Sequence, residues 1–234
     1  EGYQKVIDGA RAVLDHYRPH IPIHPDWPMV RLNTAASVQG GVQKSPSRQP
    51  TKNHRPYLTV RNVQRGYLNL TDVERFEVTN AELERLTLQF GDILVVEGNG
   101  SREQIGRTAL FDIKGEEWVH QNHVIRVRLQ PTKASPSFIS VFLNSDHGRD
   151  QMLRNAVTTS GLYMLSVGRV EALEVPLPPL VTQQAIVAEI EAEQALVNAN
   201  RELITRFEQK IQTTLARVWG SERLTRENYH KKIW

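Results

Sequence analysis

Very few side chains in this sequence stand where bond-making chemistry would need them. Glu208-Gln209-Lys210 has the E-x-K spacing of a nuclease site, but no aspartate lies near it in the sequence. Gly98-Asn99-Gly100 is followed by Glu103 where the dinucleotide-binding pattern G-x-G-x-x-G demands glycine, and no lysine follows a glycine as in a phosphate-binding loop. The chain has no cysteine, which removes disulfides and thiolate metal sites. His16, His20 and His24 are evenly spaced, yet Pro19 and Pro22 deny them a common face, so no metal site is expected. No Ser/His/Asp set stands out. Catalysis, if any accompanies this chain, lies elsewhere.

The side chains that remain are suited to binding. Residues 27–71 contain no Asp or Glu while carrying Arg31, Lys44, Arg48, Lys52, Arg55, Arg61 and Arg65, against a net charge of only +3 for the whole chain. A one-sign stretch of that length is the footprint of a polyanion binder. A solvated loop balanced by acids elsewhere is the alternative.

The elements that must position these groups are readable in outline. Residues 1–18 place Tyr3, Val6, Ile7, Ala10, Leu14 and Tyr17 at helical spacing, and Pro19 stops them. The proline-rich run to Pro28 reads as a linker. From Met29 the texture turns to short β-like runs: Val30-Arg31-Leu32, then a polar loop over residues 35–56, then Tyr57-Leu58-Thr59-Val60 and a turn through Gly66. Thr79 with Glu82 forms a capping box at the head of a short helix, Ile93-Leu94-Val95-Val96 reads as a buried strand, and residues 138–154 read as one helix.

Pro176, Pro178 and Pro179 form a stiff hinge, because proline cannot sit inside a helix and biases its neighbour to extended backbone. Past them no Pro or Gly occurs until Gly220. Thr182 is the expected N-cap of a helix about 55–60 Å long. Its apolar stripe (Ile186, Ile190, Val197, Ile204, Phe207, Ile211, Leu215, Val218) must lie on another long helix, in cis or in a partner chain. Glu193 and Asn200 interrupt the stripe, either as simple imperfections or as polar seam positions that fix register.

At this point an ordered set of motifs matches a family. The set opens with Pro56-Tyr57-Leu58 and Arg61-Asn62-Val63-Gln64-Arg65-Gly66, followed by Gly91-Asp92-Ile93-Leu94. Glu97-Gly98-Asn99-Gly100-Ser101 comes next with Gly106-Arg107, and then Asn122-His123 with Arg126. Leu143-Asn144-Ser145 with Gly148-Arg149 follows, then Thr159-Ser160-Gly161 before Leu165-Ser166. The set closes on Val175-Pro176-Leu177-Pro178-Pro179-Leu180 with Gln183-Gln184 and Ile186-Val187. Over residues 29–219 this resembles the target recognition domain of Type I restriction–modification specificity subunits, and of N6-adenine DNA methyltransferases fused to such a specificity region. The opening helix, and Arg206-Phe207-Glu208-Gln209-Lys210 with Ala216-Arg217-Val218-Trp219-Gly220, look more like the fused variety. Such subunits usually carry two recognition domains and two helices where this chain has one of each, so a second copy or the parent protein must supply the rest. The start at Glu1 rather than Met likewise suggests a piece of a larger polypeptide.

The resemblance implies an α/β (more strictly α+β) fold: a mixed-strand recognition domain over residues 29–179 followed by a long coiled-coil-type helix over residues 180–220. Residues 1–28 would be the end of a preceding helix with its linker, and residues 221–234 a tail. It implies a non-catalytic chain that reads one half of a split site in double-stranded DNA. The partners implied are a methyltransferase subunit or domain, a restriction subunit, and a second copy through the long helix. S-adenosylmethionine would be bound by the methyltransferase part, since the glycine-bearing cofactor loop and the Asn/Asp-Pro-Pro-aromatic motif are both missing here. Helping to complete the active site of a fused enzyme, or serving as a helical adaptor without DNA binding, are the rival readings. No apolar run approaches 18 residues and no signal peptide is visible, so a cytoplasmic setting without a membrane is expected.

Arg and Asn or Gln can meet guanine and adenine edges bidentately, while Lys, Arg and Ser hold phosphates. The loop over residues 98–107 offers Asn99, Ser101, Arg102, Gln104 and Arg107 for this, with a mobile hairpin loop as the alternative. Arg61, Asn62, Gln64 and Arg65 form a second group, unless they are a solvent-facing hairpin edge. Asn122 and His123 with Arg126 form a third, with a structural turn slightly favoured. Thr159, Ser160 and Tyr163 form a fourth. Lys44, Arg48 and Lys52 are the expected phosphate contacts, and Ile190, Val197, Ile204, Phe207, Ile211 and Leu215 the expected partner-helix residues.

Overall fold

The computed structural model describes residues 2–17, 20–43, 45, 52, 54–159 and 161–219. Contacts gather them into two units, one within Pro19–Glu189 and one joining the N-terminal helix to the residues from Ile190 onward.

The first unit opens on β1 (Met29–Arg31) and β2 (Ala36–Gly40). A strand at β2 corrects the expectation of one long loop over residues 35–56: Ala36 faces Leu129 and Gly40 faces Ile125, so the ladder with a buried neighbour overrides the polar texture. β3 (His54–Leu58) pairs antiparallel with β4 (Glu74–Glu77), after which Thr79 and Glu82 close the expected capping box on α2 (Asn80–Leu86). β5 (Ile93–Val96) is apolar and wholly buried, as its sequence requires. It is followed by the short β6 (Gly98–Asn99) and by β7 (Thr108–Leu110), which pairs back on β5. β8 (Val119–His120) runs parallel to β3, and β9 (Val124–Leu129) lies between β2 and β5. The core therefore centres on an antiparallel sheet ordered β2-β9-β5-β7, beside a mixed sheet ordered β4-β3-β8.

Residues 138–154 are two helices rather than one: α3 (Pro136–Asn144) and α4 (Asp146–Asn155). Ser145 is the cause. Its backbone is extended (φ −66, ψ 165), it ends α3, and its hydroxyl accepts from Gly148 N–H to start α4. β10 (Val157–Thr159) and β11 (Leu162–Met164) form a hairpin whose second strand pairs with β6. After α5 (Val167–Glu171), β12 (Glu174–Pro176) returns antiparallel to β1, so the first of the three hinge prolines sits in a strand at the closing edge of the unit. This is the mixed α/β architecture that the resemblance implied.

α6 (Leu180–Trp219) is 40 residues long, about 60 Å. It starts two residues before the expected cap, because the Pro179 carbonyl already accepts from Thr182 and Gln183 N–H; Thr182 lies inside the first turn. In the second unit α1 (Gly2–Asp15) runs antiparallel along α6: Tyr17 hydroxyl donates to Glu193 (2.8 Å), Arg201 to Leu14 carbonyl (2.7 Å), and Arg11 to Glu208 (2.5 Å). The stripe's partner is thus in cis. Glu193 accepts from Tyr17, whose hydroxyl pKa burial and Glu193 together push up to about 12, whereas Asn200 bonds back to Leu196 carbonyl of its own helix.

Candidate nucleic-acid interface

The four groups of polar candidates come from distant parts of the sequence, and hydrogen bonds draw three of them together. Arg107 stands at the junction: its Nη2 donates to Val60 carbonyl (2.7 Å), and its Nη1 to Gln64 Oε1 (3.1 Å) and Gln104 Oε1 (3.4 Å). Its Nε is buried without an acceptor among the described residues, and burial lowers its pKa. Arg65 donates to Glu103 carbonyl (3.0 Å) and to Asn144 Oδ1 (3.4 Å). Gln64 Nε2 donates to Arg61 carbonyl (2.7 Å). The loop over residues 59–70 and the loop over residues 98–107 are therefore one piece. Gly106 makes the second loop's exit possible, because its φ of 63 is the left-handed region that favours glycine.

On this piece Ser101, Arg102 and Gln104 are exposed, with Ser101 Oγ accepting from Glu103 N–H (3.3 Å). Beside them opens a cavity of about 340 Å³ lined by Arg65, Arg102, Glu103, Asp146, Arg149 and Asp150, where opposite charges balance. Arg149 had no signal as a candidate beyond its place in the Gly148-Arg149 motif; only the packing of α4 brings it here. β6 carries Asn99 into register with Tyr163 of β11, so the fourth group joins the same edge. His123 is exposed, with Nδ1 2.7 Å from Glu97 Oε2, and Glu97 N–H donates to His123 carbonyl (3.0 Å), tying its turn to the root of the loop. Asn122 is half-buried, its N–H donating to Val42 carbonyl (2.9 Å).

Other candidates have structural work instead. Asn62 is buried and its amide is fully used: Oδ1 accepts from Thr59 N–H (2.8 Å) and hydroxyl (2.9 Å), while Nδ2 donates to Asn69 carbonyl (3.0 Å) and Asp72 carbonyl (2.8 Å). It staples the loop and has nothing left for a base. Arg126 is buried too, donating to Arg85 carbonyl and Gln39 Oε1. Asp92 of the Gly91-Asp92 motif is buried in a bidentate pair with Arg128, both bonds 2.7 Å.

The acid-free stretch is also less basic in space than in sequence. Arg55 pairs with Glu117 (3.1 Å), and Arg61 with Asp72 (3.3 Å) and Glu74 (2.8 Å); Lys52 is exposed, its backbone N–H donating to Glu77 (3.1 Å). Balance by acids elsewhere, the plainer alternative, thus holds for these arginines. Lys44, Arg48 and Ser160 lie outside the described residues, as do the side chains of Asn99 and Thr159. On α6, Ile190 and Val197 are buried and Ile204, Ile211 and Leu215 half-buried. Phe207, at 52 % exposed, lies off that line, and Glu208, held by Arg11, takes the place expected of it.

The fold is thus a mixed α/β domain with polar loops gathered at one edge, followed in sequence by a long helix. Comparison with known proteins gives the family: residues 27–211 match the Type I restriction modification DNA specificity domain, and the chain belongs to that family. It is 27 % identical over 219 residues to the Type I restriction enzyme EcoKI specificity subunit of Escherichia coli (strain K12), covering 92 % of this chain and 45 % of that protein. It is 26 % identical over 152 residues to the StySPI specificity subunit of Salmonella potsdam, covering 63 % and 33 %. The chain spans less than half the length of these relatives. The HsdS subunit from Thermoanaerobacter tengcongensis superposes with a TM-score of 0.58 at 14 % identity, over 93 % of this chain and 52 % of that one. A chain from a study of complex assembly and conformational transition of the type I R-M system superposes with a TM-score of 0.63 at 15 % identity, over 90 % and 50 %. These likenesses show the fold. The relatives are specificity subunits, in keeping with a chain that is not itself catalytic. Among the described residues no helix is long and apolar enough to cross a membrane.

Proposed function

We propose that this chain reads one half of a split site in double-stranded DNA and delivers that choice to the methyltransferase part of a restriction–modification complex. The observation that carries the reading is the junction at Arg107, which joins two loops into one edge and leaves Arg102, Gln104 and Ser101 exposed on it. Exposed arginine and glutamine on a fixed frame suit base edges, and the serine suits a phosphate. Membership of a DNA specificity family supports the same reading. The cofactor, S-adenosylmethionine, belongs to the methyltransferase part, and the setting is the cytoplasm.

The helix pair is the assembly surface in this reading. Val6 and Val13 of α1 and Leu196, Leu203 and Phe207 of α6 are exposed. At 3.6 residues per turn in antiparallel helices, the two sets fall on the same side of the pair. That apolar face is where a second copy or the methyltransferase part would dock.

Titration of labelled duplex at several salt concentrations tests the DNA reading. Log affinity should fall with log salt at a slope of about −0.9 per neutralised phosphate. No binding at low salt, or a flat salt response, contradicts it.

A further inference from the structure

One exposed ring on the reading edge is unused by the function proposed above. Tyr67 is 61 % exposed at the tip of the loop over residues 59–70. That loop is held from every side. Asn62 fastens its base to the Asn69 and Asp72 carbonyls, Gln64 N–H donates to Tyr67 carbonyl (3.0 Å), and Val63 and Leu68 bridge across the turn. Gly66, at a φ of 86, takes the left-handed conformation that lets its N–H reach Thr108 carbonyl (2.8 Å) on β7. Gln64 and Arg65 then bind the neighbouring loop through Arg107 and Glu103, and Arg65 binds α3 through Asn144.

A ring carried on such a support has little freedom to lose on binding. Tyrosine offers large contact area at the cost of only two torsions. Arg102 and Gln104, on the loop that Arg107 ties to this one, are polar, so the ring supplies the apolar contact that they cannot. In the major groove the apolar feature is the 5-methyl group of thymine. Resting on the DNA-reading function proposed above, we infer that Tyr67 is a specificity-determining residue whose ring packs on a thymine methyl group in the recognised half-site.

The test takes the duplex that the wild-type chain selects from a random pool and replaces each thymine, one at a time, with deoxyuridine, which removes only the methyl. Wild type, Tyr67→Phe and Tyr67→Ala are then titrated against the series. At one position the wild type and Tyr67→Phe should lose about four-fold in affinity, the worth of one buried carbon group, while Tyr67→Ala is indifferent there. If all three proteins respond alike at every position, the assignment is overturned. A selected site without thymine, or a Tyr67→Ala variant that loses affinity equally on selected and random duplexes, overturns it too. In each of those cases selective binding by the wild type leaves the half-site reading standing. A wild type that binds no duplex removes both.

Discussion

Asn62 and Arg102 show how two polar residues of similar promise in a sequence come to opposite surroundings, one buried and one exposed. Asn62→Ala should take from the buried Thr59 N–H and hydroxyl, and from the partly buried Asn69 and Asp72 carbonyls, the partner that Asn62 gives them, at about 1–3 kcal/mol of stability, read as a lower urea midpoint. Arg102→Ala or Gln104→Ala should leave that midpoint alone and cost roughly 1–3 kcal/mol on the preferred duplex, with a much smaller loss on random DNA. Equal losses on both duplexes would make the loop a phosphate clamp. His120 gives a different prediction. It is buried, with Nδ1 2.7 Å from Val124 carbonyl, and burial, aided by Arg126 and Arg128 and opposed by the Val124 bond and Asp92, pushes its pKa from 6.5 down to about 4. The unfolded chain takes up that proton first as pH falls. The stability is therefore fully present above pH 6.5 and drains away between 6.5 and about 4, at roughly 1.4 kcal/mol per pH unit. Urea midpoints measured across that window should fall steeply in wild type and less steeply in His120→Gln.

The helices α4 and α6 show what sequence periodicity captures and what it misses. The length of α6, its stripe and the Thr79–Glu82 capping box were legible, because each rests on local spacing. The break at Ser145 and the strand at β2 were not, since a cap serving two helices and a ladder with β9 are tertiary facts. Phe207 lies off the line that faces α1 for a related reason. The buried line follows Ile190, Val197, Ile204 and Ile211 at steps of seven, and Arg11 of α1 draws Glu208 rather than Phe207 to its side. The assembly test therefore moves to the exposed face. Leu203→Asp with Phe207→Asp should abolish self-association in sedimentation while the α1–α6 pair stays formed. Ile204→Asp with Ile211→Asp would also separate α1 from α6, so a loss there says nothing about the outer face. A wild type that stays monomeric at high concentration contradicts docking of a second copy.

At the scale of the whole chain, the fold class was visible through the family resemblance, and the exposed polar loop over residues 98–107 through its glycines and polar cluster, which are local signals. The basic stretch could not be judged that way: Arg55 and Arg61 meet Glu117, Asp72 and Glu74 only after β3 pairs with β4 and approaches residue 117. In the proposed function the edge at Arg107 supplies the selectivity, and selection from a random-sequence duplex pool measures it most directly. The chain should enrich one short sequence, a half-site, and Arg102→Ala should blur a defined position within it. Binding that retains the pool without enriching any sequence would show a phosphate-holding surface and contradict the reading of bases.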